Sequence, residues 1–277
     1  MRFNNRLVLM CAAATLAASA ANAEEKLMKF MVDGVERHAI VFAPSKAAGS
    51  APLILAFHGH GDSADNYVGV DFQKVWPEAV IAYFDGLPTR DGLSGWQTEP
   101  GMDGDRDLKM VDVALASLKK TYKIDDARVY ASGFSNGGHF TYLLWAQRPS
   151  LFAAYGVVAG RIRPTAVPVQ PKPLLHIGGK NDHQVAFADQ TAAMETSRRI
   201  NGVSASVTPC ASQIAGTVCS LYATSMNGTP VGTPVMTEVH PGGHAYPEGT
   251  SEEIVKFFQR FALNRGTAAP ARTPDRP

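Results

Sequence analysis

Residues 128–140 read RVYASGFSNGGHF, and this stretch restricts the fold more than any other part of the chain. A β-branched and aromatic run at residues 128–131 meets Gly133-Phe134-Ser135-Asn136-Gly137 and passes at once into a helical pattern. A strand, a sharp turn and a helix around G-x-S-x-G form the setting in which a serine hydroxyl stands exposed at the top of a sheet. The glycines fit that geometry. A serine on so sharp a turn takes strained dihedrals, and neighbours without a Cβ let strand and helix approach closely. The turn also directs the Asn136 backbone N–H and the helix N-terminus toward the hydroxyl, where they can hold developing negative charge. The plainer alternative is a serine in a tight strand-to-helix connection with no chemistry attached.

The rest of the chain supplies a sheet for such an elbow. Short apolar runs at residues 52–57, 79–83, 128–131, 154–158, 174–177 and 235–239 read as inner strands. Residues 107–120, 137–146, 185–200 and 251–261 carry apolar positions at helical intervals. This alternation predicts an α/β protein with a mostly parallel central sheet flanked by crossover helices. Residues 27–32 and 38–42 flank Asp33-Gly34 and predict an antiparallel hairpin at the start. Residues 86–105, around Trp96, read as a long loop near the carboxyl edge of the sheet, where ligand sites of open parallel sheets lie. Residues 202–233 read as an irregular excursion before the last strand.

At 277 residues, 45% hydrophobic and 18% charged, the chain has material for one sizeable core. One catalytic domain at residues 24–264 accommodates every element. The formal charge of +1, with no run of Lys or Arg, argues against a nucleic-acid partner. Residues 1–23 have Arg2 and Arg6, an apolar stretch and Ala21-Asn22-Ala23, the pattern of an export signal cleaved after Ala23. The apolar stretch is shorter than the roughly 20 residues that span a bilayer, so a stable membrane anchor is not expected. Lipidation at Cys11 is discounted because Met10 stands where a small residue is required. The expected location is secreted or periplasmic. Export leaves Cys210 and Cys219, which in an oxidising compartment predict a disulfide; two free buried thiols are the alternative. The tail at residues 265–277 has no apolar face to bury and is expected to be disordered.

A serine hydroxyl is a poor nucleophile at neutral pH, so it needs a histidine base, and the base needs an acid that fixes its tautomer. Asp182, in the loop after the apolar strand of PLLHIGGKNDHQV, lies on the same edge of the sheet as the elbow. A helix cap is its alternative role. After the acid come His183, His240 and His244. His244, in the glycine-rich HPGGHAYP beyond the last strand, can swing over Ser135 and completes the chain order Ser, Asp, His. His240 belongs to the strand end, and His183 beside Asp182 points elsewhere. The loop AFHGHGDS offers a competing reading as a metal site built on His58, His60 and Asp62. Zinc sites of the H-x-H-x-D kind usually have a histidine next, and Ser63 stands there. The loop directly follows a strand, in the position that supplies oxyanion donors, so the backbone N–H of His60 is expected to join that of Asn136.

FHGHGDS, DGLP with GWQ, RVYASGFSNGG, HIGGKNDHQV and PGGHAYP together resemble the secreted α/β-hydrolase esterases grouped with polyhydroxybutyrate depolymerases and feruloyl esterases. The resemblance spans residues 36–261. It implies an α/β-hydrolase fold and ester hydrolysis by Ser135, Asp182 and His244, without metal or organic cofactor, on a small or oligomeric ester. Two departures bear on the acyl pocket: His60 replaces a cysteine common in relatives, and Tyr246 a tryptophan. Trp96 and Tyr246 are the candidate pocket residues, with a core-covering role as the alternative for each. No linker or polymer-binding module is evident, which favours soluble feruloyl or hydroxyalkanoate esters over a solid polyester. Peptidase or lactonase activity on the same triad stays open, as does a binding protein without turnover.

Overall fold

The structure, a computed structural model, describes residues 23–45, 49–203, 207–226 and 229–263. Of the expected export signal and tail, residues 1–22 and 265–277 lie outside the described residues, and Ala23 is the first residue of a strand.

The chain opens with the antiparallel pair β1 (Ala23–Val32) and β2 (Val35–Pro44). Asp33 and Gly34 at the turn both have positive φ, 49° and 80°, the geometry whose twist matches that of the strands it joins. Next come β3 (Ala51–Phe57), the short α1 (Ala64–Tyr67) and α2 (Phe72–Val75), and β4 (Val80–Phe84). The long loop holds a two-residue ladder of β5 (Leu87–Pro88) and β6 (Ser94–Gly95). It leads to α3 (Arg106–Thr121), β7 (Ile124–Phe134), α4 (Asn136–Gln147), β8 (Ala154–Val158), β9 (Leu174–Gly179) and α5 (Phe187–Ile200). Last are β10 (Val207–Cys210), β11 (Val218–Met226), β12 (Thr229–His240) and α6 (Thr250–Phe258).

Apart from the small β5–β6 ladder, the described strands form one sheet in the order β1-β2-β4-β3-β7-β8-β9-β12-β11-β10. The six inner strands from β4 to β12 run parallel, and the two at each end are antiparallel. Inner strands covered on both faces read as apolar runs rather than alternating, most plainly β3, β4 and β8, in which every residue is buried. In β3, Leu53, Leu55 and Phe57 face one core with α3 and α4, while Ile54 and Ala56 face the other with α1, α2 and α6.

The expectation for residues 202–233 is corrected. This segment contains β10 and β11, which continue the sheet past β12. They lie at the sheet margin, with Val207 and Val218 more than half exposed, so they lack the apolar run that marks an inner strand. Cys210 and Cys219 face each other across this pair and form a disulfide.

Candidate active site

Ser135 sits between β7 and α4 with φ 56° and ψ −115°, dihedrals that an L-residue holds only when its surroundings enforce them. Close approach explains the flanking glycines. A Cβ on Gly133 would lie 2.2 Å from the Gly137 carbonyl oxygen, and one on Gly137 would lie 2.1 Å from that of Phe57. The Ser135 N–H donates to the Val158 carbonyl at 2.8 Å, tying the elbow to the end of β8.

Two further loops converge on this serine. The loop after β9 and the loop after β12 are joined by Lys180 N–H to the His240 carbonyl at 2.9 Å and by Asn181 N–H to that of Gly242 at 3.0 Å. The Asn181 side chain adds a bond to the Pro241 carbonyl at 2.8 Å. So joined, they bring His244 Nε2 to 2.9 Å from Ser135 Oγ, and His244 Nδ1 to 2.8 Å from Asp182 Oδ2. A carboxylate only accepts, so Nδ1 carries the proton and Nε2 is free to accept from the serine hydroxyl.

Asp182 is buried, with every bond directed. Its Oδ1 accepts from the N–H groups of Gln184 and Val185 at 2.9 and 3.0 Å, and its Oδ2 also accepts from Gln190 Nε2 at 2.9 Å. Gln190 Oε1 lies 3.3 Å from His176 Nε2, and His176 Nδ1 lies 2.7 Å from the Tyr142 hydroxyl. Burial pushes the His176 imidazole down to about 4, so this ring stays neutral and holds Gln190 in place. Neither Gln190 nor His176 was singled out from the sequence as support for the acid. Gln190 lies eight residues from Asp182, and only the inward face of α5 reveals the contact.

The expected base rivals lie elsewhere. His183 is exposed, and His240 is buried with its Nδ1 accepting from Gly242 N–H at 3.1 Å. His139, one turn into α4, is buried, and that burial, with Arg161 and Arg163 nearby, pushes it down to about 3.

The residue 58–62 loop crosses directly beside the elbow: a Cβ on Gly59 would lie 3.6 Å from Ser135 Cβ. The backbone N–H groups of His60 and Asn136 have no hydrogen-bond partner among the described residues. The side chains of the loop are otherwise engaged. His58 is fully buried, its Nε2 accepting from Gly86 N–H at 3.0 Å and its Nδ1 facing the Gly59 carbonyl at 2.6 Å. Asp62 Oδ1 accepts from Ser63 N–H and Asn66 Nδ2, and His60 Nε2 pairs with Asp91 at 2.8 Å. With both His58 nitrogens taken by backbone, the H-x-H-x-D set has no free ligand geometry. Among the described residues no three His, Cys, Asp or Glu side chains are grouped as metal ligands.

Trp96 is placed differently from the expectation of a pocket wall. It is 1% exposed, packs on Phe57 and Phe140, and donates its indole N–H to the His58 carbonyl at 2.9 Å. A large apolar ring is stabilised more by the core than at a wet rim. Its backbone reaches the elbow, since Trp96 N–H donates to Asn136 Oδ1 at 2.7 Å and Asn136 Nδ2 donates to the Trp96 carbonyl at 3.2 Å. Tyr246 is half-buried with its ring edge toward Phe134, 6.1 Å between centroids, and Phe134 packs on His244 at 4.9 Å.

No protein-family model matches the chain. It is 33% identical over 153 residues to a bifunctional acetylxylan esterase/xylanase of Neocallimastix patriciarum, covering 54% of this chain and 22% of that protein. It is 24% identical over 250 residues to feruloyl esterase B of Piromyces equi, covering 82% and 46%. It is 25% identical over 257 residues to poly(3-hydroxyalkanoate) depolymerase C of Paucimonas lemoignei, covering 75% and 60%. The chain thus spans from about a fifth to three fifths of these relatives. The solved acetyl xylan esterase from Aspergillus awamori superposes with a TM-score of 0.67 at 13% identity, over 84% of this chain and 99% of that one. The chain therefore has the α/β-hydrolase fold, and the proteins it resembles in sequence and fold are esterases and a poly(3-hydroxyalkanoate) depolymerase.

Proposed function

We propose that the protein is an exported serine carboxylic-ester hydrolase acting through Ser135, His244 and Asp182. The observation that carries this reading is the directed chain Asp182–His244–Ser135, with bonds of 2.8 and 2.9 Å, ending on a strained serine. Ser135 Oγ attacks the ester carbonyl as His244 Nε2 takes its proton. Asp182 stabilises the imidazolium without taking the proton itself. His244 then protonates the leaving alcohol, and water hydrolyses the acyl-enzyme by the same steps in reverse order of roles.

The oxyanion is held by the unpartnered N–H groups of Asn136 and His60, each such donor contributing about 2.7–4 kcal/mol to the transition state. The Asn136–Trp96 bond pair keeps the first donor rigid. No step calls for a metal or organic cofactor, because nucleophile, base and oxyanion donors are all supplied by the chain. The substrates favoured are soluble esters with feruloyl or hydroxyalkanoate acyl groups, supported by the esterases and depolymerase that the chain resembles. The Cys210–Cys219 disulfide supports an oxidising location outside the cytoplasm.

The test is one ester panel of feruloyl esters, 3-hydroxybutyrate oligomers and short nitrophenyl esters, run on wild type and Ser135→Ala with and without chelator. Hydrolysis that vanishes in the variant and ignores the chelator is expected. A folded Ser135→Ala protein with near-full activity, or loss of activity to the chelator alone, overturns the reading.

A further inference from the structure

An arginine-lined groove beside the elbow has no part in the mechanism above. Its first wall is the segment after β8, which leaves directly from the nucleophile. Val158 accepts the Ser135 N–H, and a Cβ on Gly160 would lie 3.1 Å from Gly138 Cα. Arg161 N–H donates to His139 Nδ1 at 3.1 Å, and His139 N–H donates to the Ser135 carbonyl at 3.0 Å. At about 3.3–3.6 Å of reach per residue, the Arg161 backbone lies within roughly 11 Å of Val158. Arg163 Nε donates to Thr98 Oγ1 at 3.4 Å, two residues from the backbone of Trp96 that Asn136 holds.

The second wall is α5, which starts five residues after Asp182. Between the walls is a cleft of about 460 Å³. Along α5 it extends from Asp189 to Arg199, about 15 Å at 1.5 Å per residue. Its lining has an apolar part, including Ile162 and Val167, and three arginines, Arg161, Arg163 and Arg199, against the single Asp189. Arg161 is paired with Asp189. Among the described residues the Arg199 side chain bonds only to Thr196 of its own helix, and the two terminal nitrogens of Arg163 have no partner. A cleft with an apolar part, with Arg163 and Arg199 free of any carboxylate partner among the described residues and with one wall tied to the elbow through His139, is shaped for a chain that ends in an anion. Guanidinium forks bind carboxylates through two parallel charge-assisted bonds.

We infer that this groove binds a free carboxylate on the ester substrate through Arg163 and Arg199, so that the preferred substrates are acidic monoesters rather than fully neutral esters. A hydroxyacid oligomer with a free carboxyl end has this chemistry. The inference rests on the esterase reading of Ser135, and the test separates the two.

Ser135→Ala serves as an inert binder. Calorimetry measures its affinity for the linear 3-hydroxybutyrate dimer as the free acid and as the methyl ester, at pH 7 and again with Arg163→Gln or Arg199→Gln added. The acid is expected to bind about tenfold tighter or better, with most of that margin lost in either double variant. In the otherwise wild-type enzyme, Arg163→Gln raises KM for the acid with kcat held within about twofold, as loss of uniform binding requires. Circular dichroism and an unchanged unfolding midpoint report that the variant is folded. Equal affinity for acid and methyl ester, or an equal loss of both in the Arg163 variant, overturns the groove while leaving the esterase reading intact. Arg163-dependent binding of the acid by a wild-type protein that hydrolyses no ester supports the groove and overturns the esterase reading.

Discussion

Two loops of this molecule have nearly the same vocabulary, His58-Gly59-His60-Gly61-Asp62 and His240-Pro241-Gly242-Gly243-His244. Each follows a parallel strand, and each buries its first histidine, His58 or His240, against backbone groups. Each points its second histidine at an aspartate 2.8 Å away. The pairs differ in their surroundings. The side chains of His60 and Asp91 are 37% and 57% exposed, whereas those of His244 and Asp182 are 9% and 0% exposed. An ion pair in water is screened and contributes little, but a buried carboxylate fixes the tautomer and orientation of the ring it touches. Equal distances therefore carry unequal consequences. In the proposed mechanism the group used in the first loop is a backbone N–H and in the second an imidazole.

The largest effect that tests this contrast comes from Asp182→Asn. An amide in place of the carboxylate can donate to His244 Nδ1 and turn the ring to the tautomer that cannot accept from Ser135. A fall of about 10⁴ in kcat is expected, with the fold intact by circular dichroism. A loss below tenfold removes Asp182 from the proposed role.

Next is Gln190→Leu, which takes one donor from Asp182 and strands the Nε2 of His176. A buried group left without its partner costs about 1–3 kcal/mol, so a lowered unfolding midpoint is expected. Because the acid also loosens, kcat falls with KM little changed. A variant with both values as in wild type shows that the Tyr142–His176–Gln190 relay does not position the acid.

The two buried first histidines predict a shared acid sensitivity. Burial lowers the pKa of both His58 and His240, and it holds His176 at about 4 and His139 at about 3. The unfolded chain takes up these protons near 6.5 while the folded chain does not, so stability present above 6.5 is lost as pH falls through the folded values. Glu238 acts in the opposite sense. Burial pushes it up to about 7, so its share is present below about 4.5 and is lost as pH rises through 7. With four histidines against one glutamate, the urea midpoint is expected to drop between pH 6.5 and 4. A level or rising midpoint over that range breaks the comparison of the two loops.

The parallel core and the elbow were legible because each rests on local signals. Strands β3, β4 and β8 are continuous buried apolar runs, and the glycines of residues 133–138 mark contacts that a Cβ would crowd. The convergence of Asp182 and His244 on Ser135 could be expected from chain order and from their place after strands. Less visible were features set by distant partners. The burial of Trp96 depends on Phe57 and Phe140, and β10 and β11 are polar because they form a margin. The arginine groove joins residues that no spacing relates, since Arg199 of α5 and Arg163 come to line one cleft only when the chain is folded.

The smallest effect belongs to the loop that first looked like a metal site. His60→Ala removes a ring whose one side-chain hydrogen-bond partner among the described residues is the exposed Asp91, and it leaves the backbone N–H that the proposed mechanism uses. The glycines at 59 and 61 still set the path of the loop, and His58 and Trp96 still anchor it from below. Activity on a short nitrophenyl ester is therefore expected to stay within about threefold of wild type, since an exposed pair contributes little. The same result is expected for Asp91→Asn, and the two together should equal either alone because they remove one contact. A loss of about a hundredfold on His60→Ala, with Asp91→Asn silent, would mean that the imidazole itself meets the substrate. His60 would then belong to the acyl pocket, and the second histidines of the two loops would both be functional side chains.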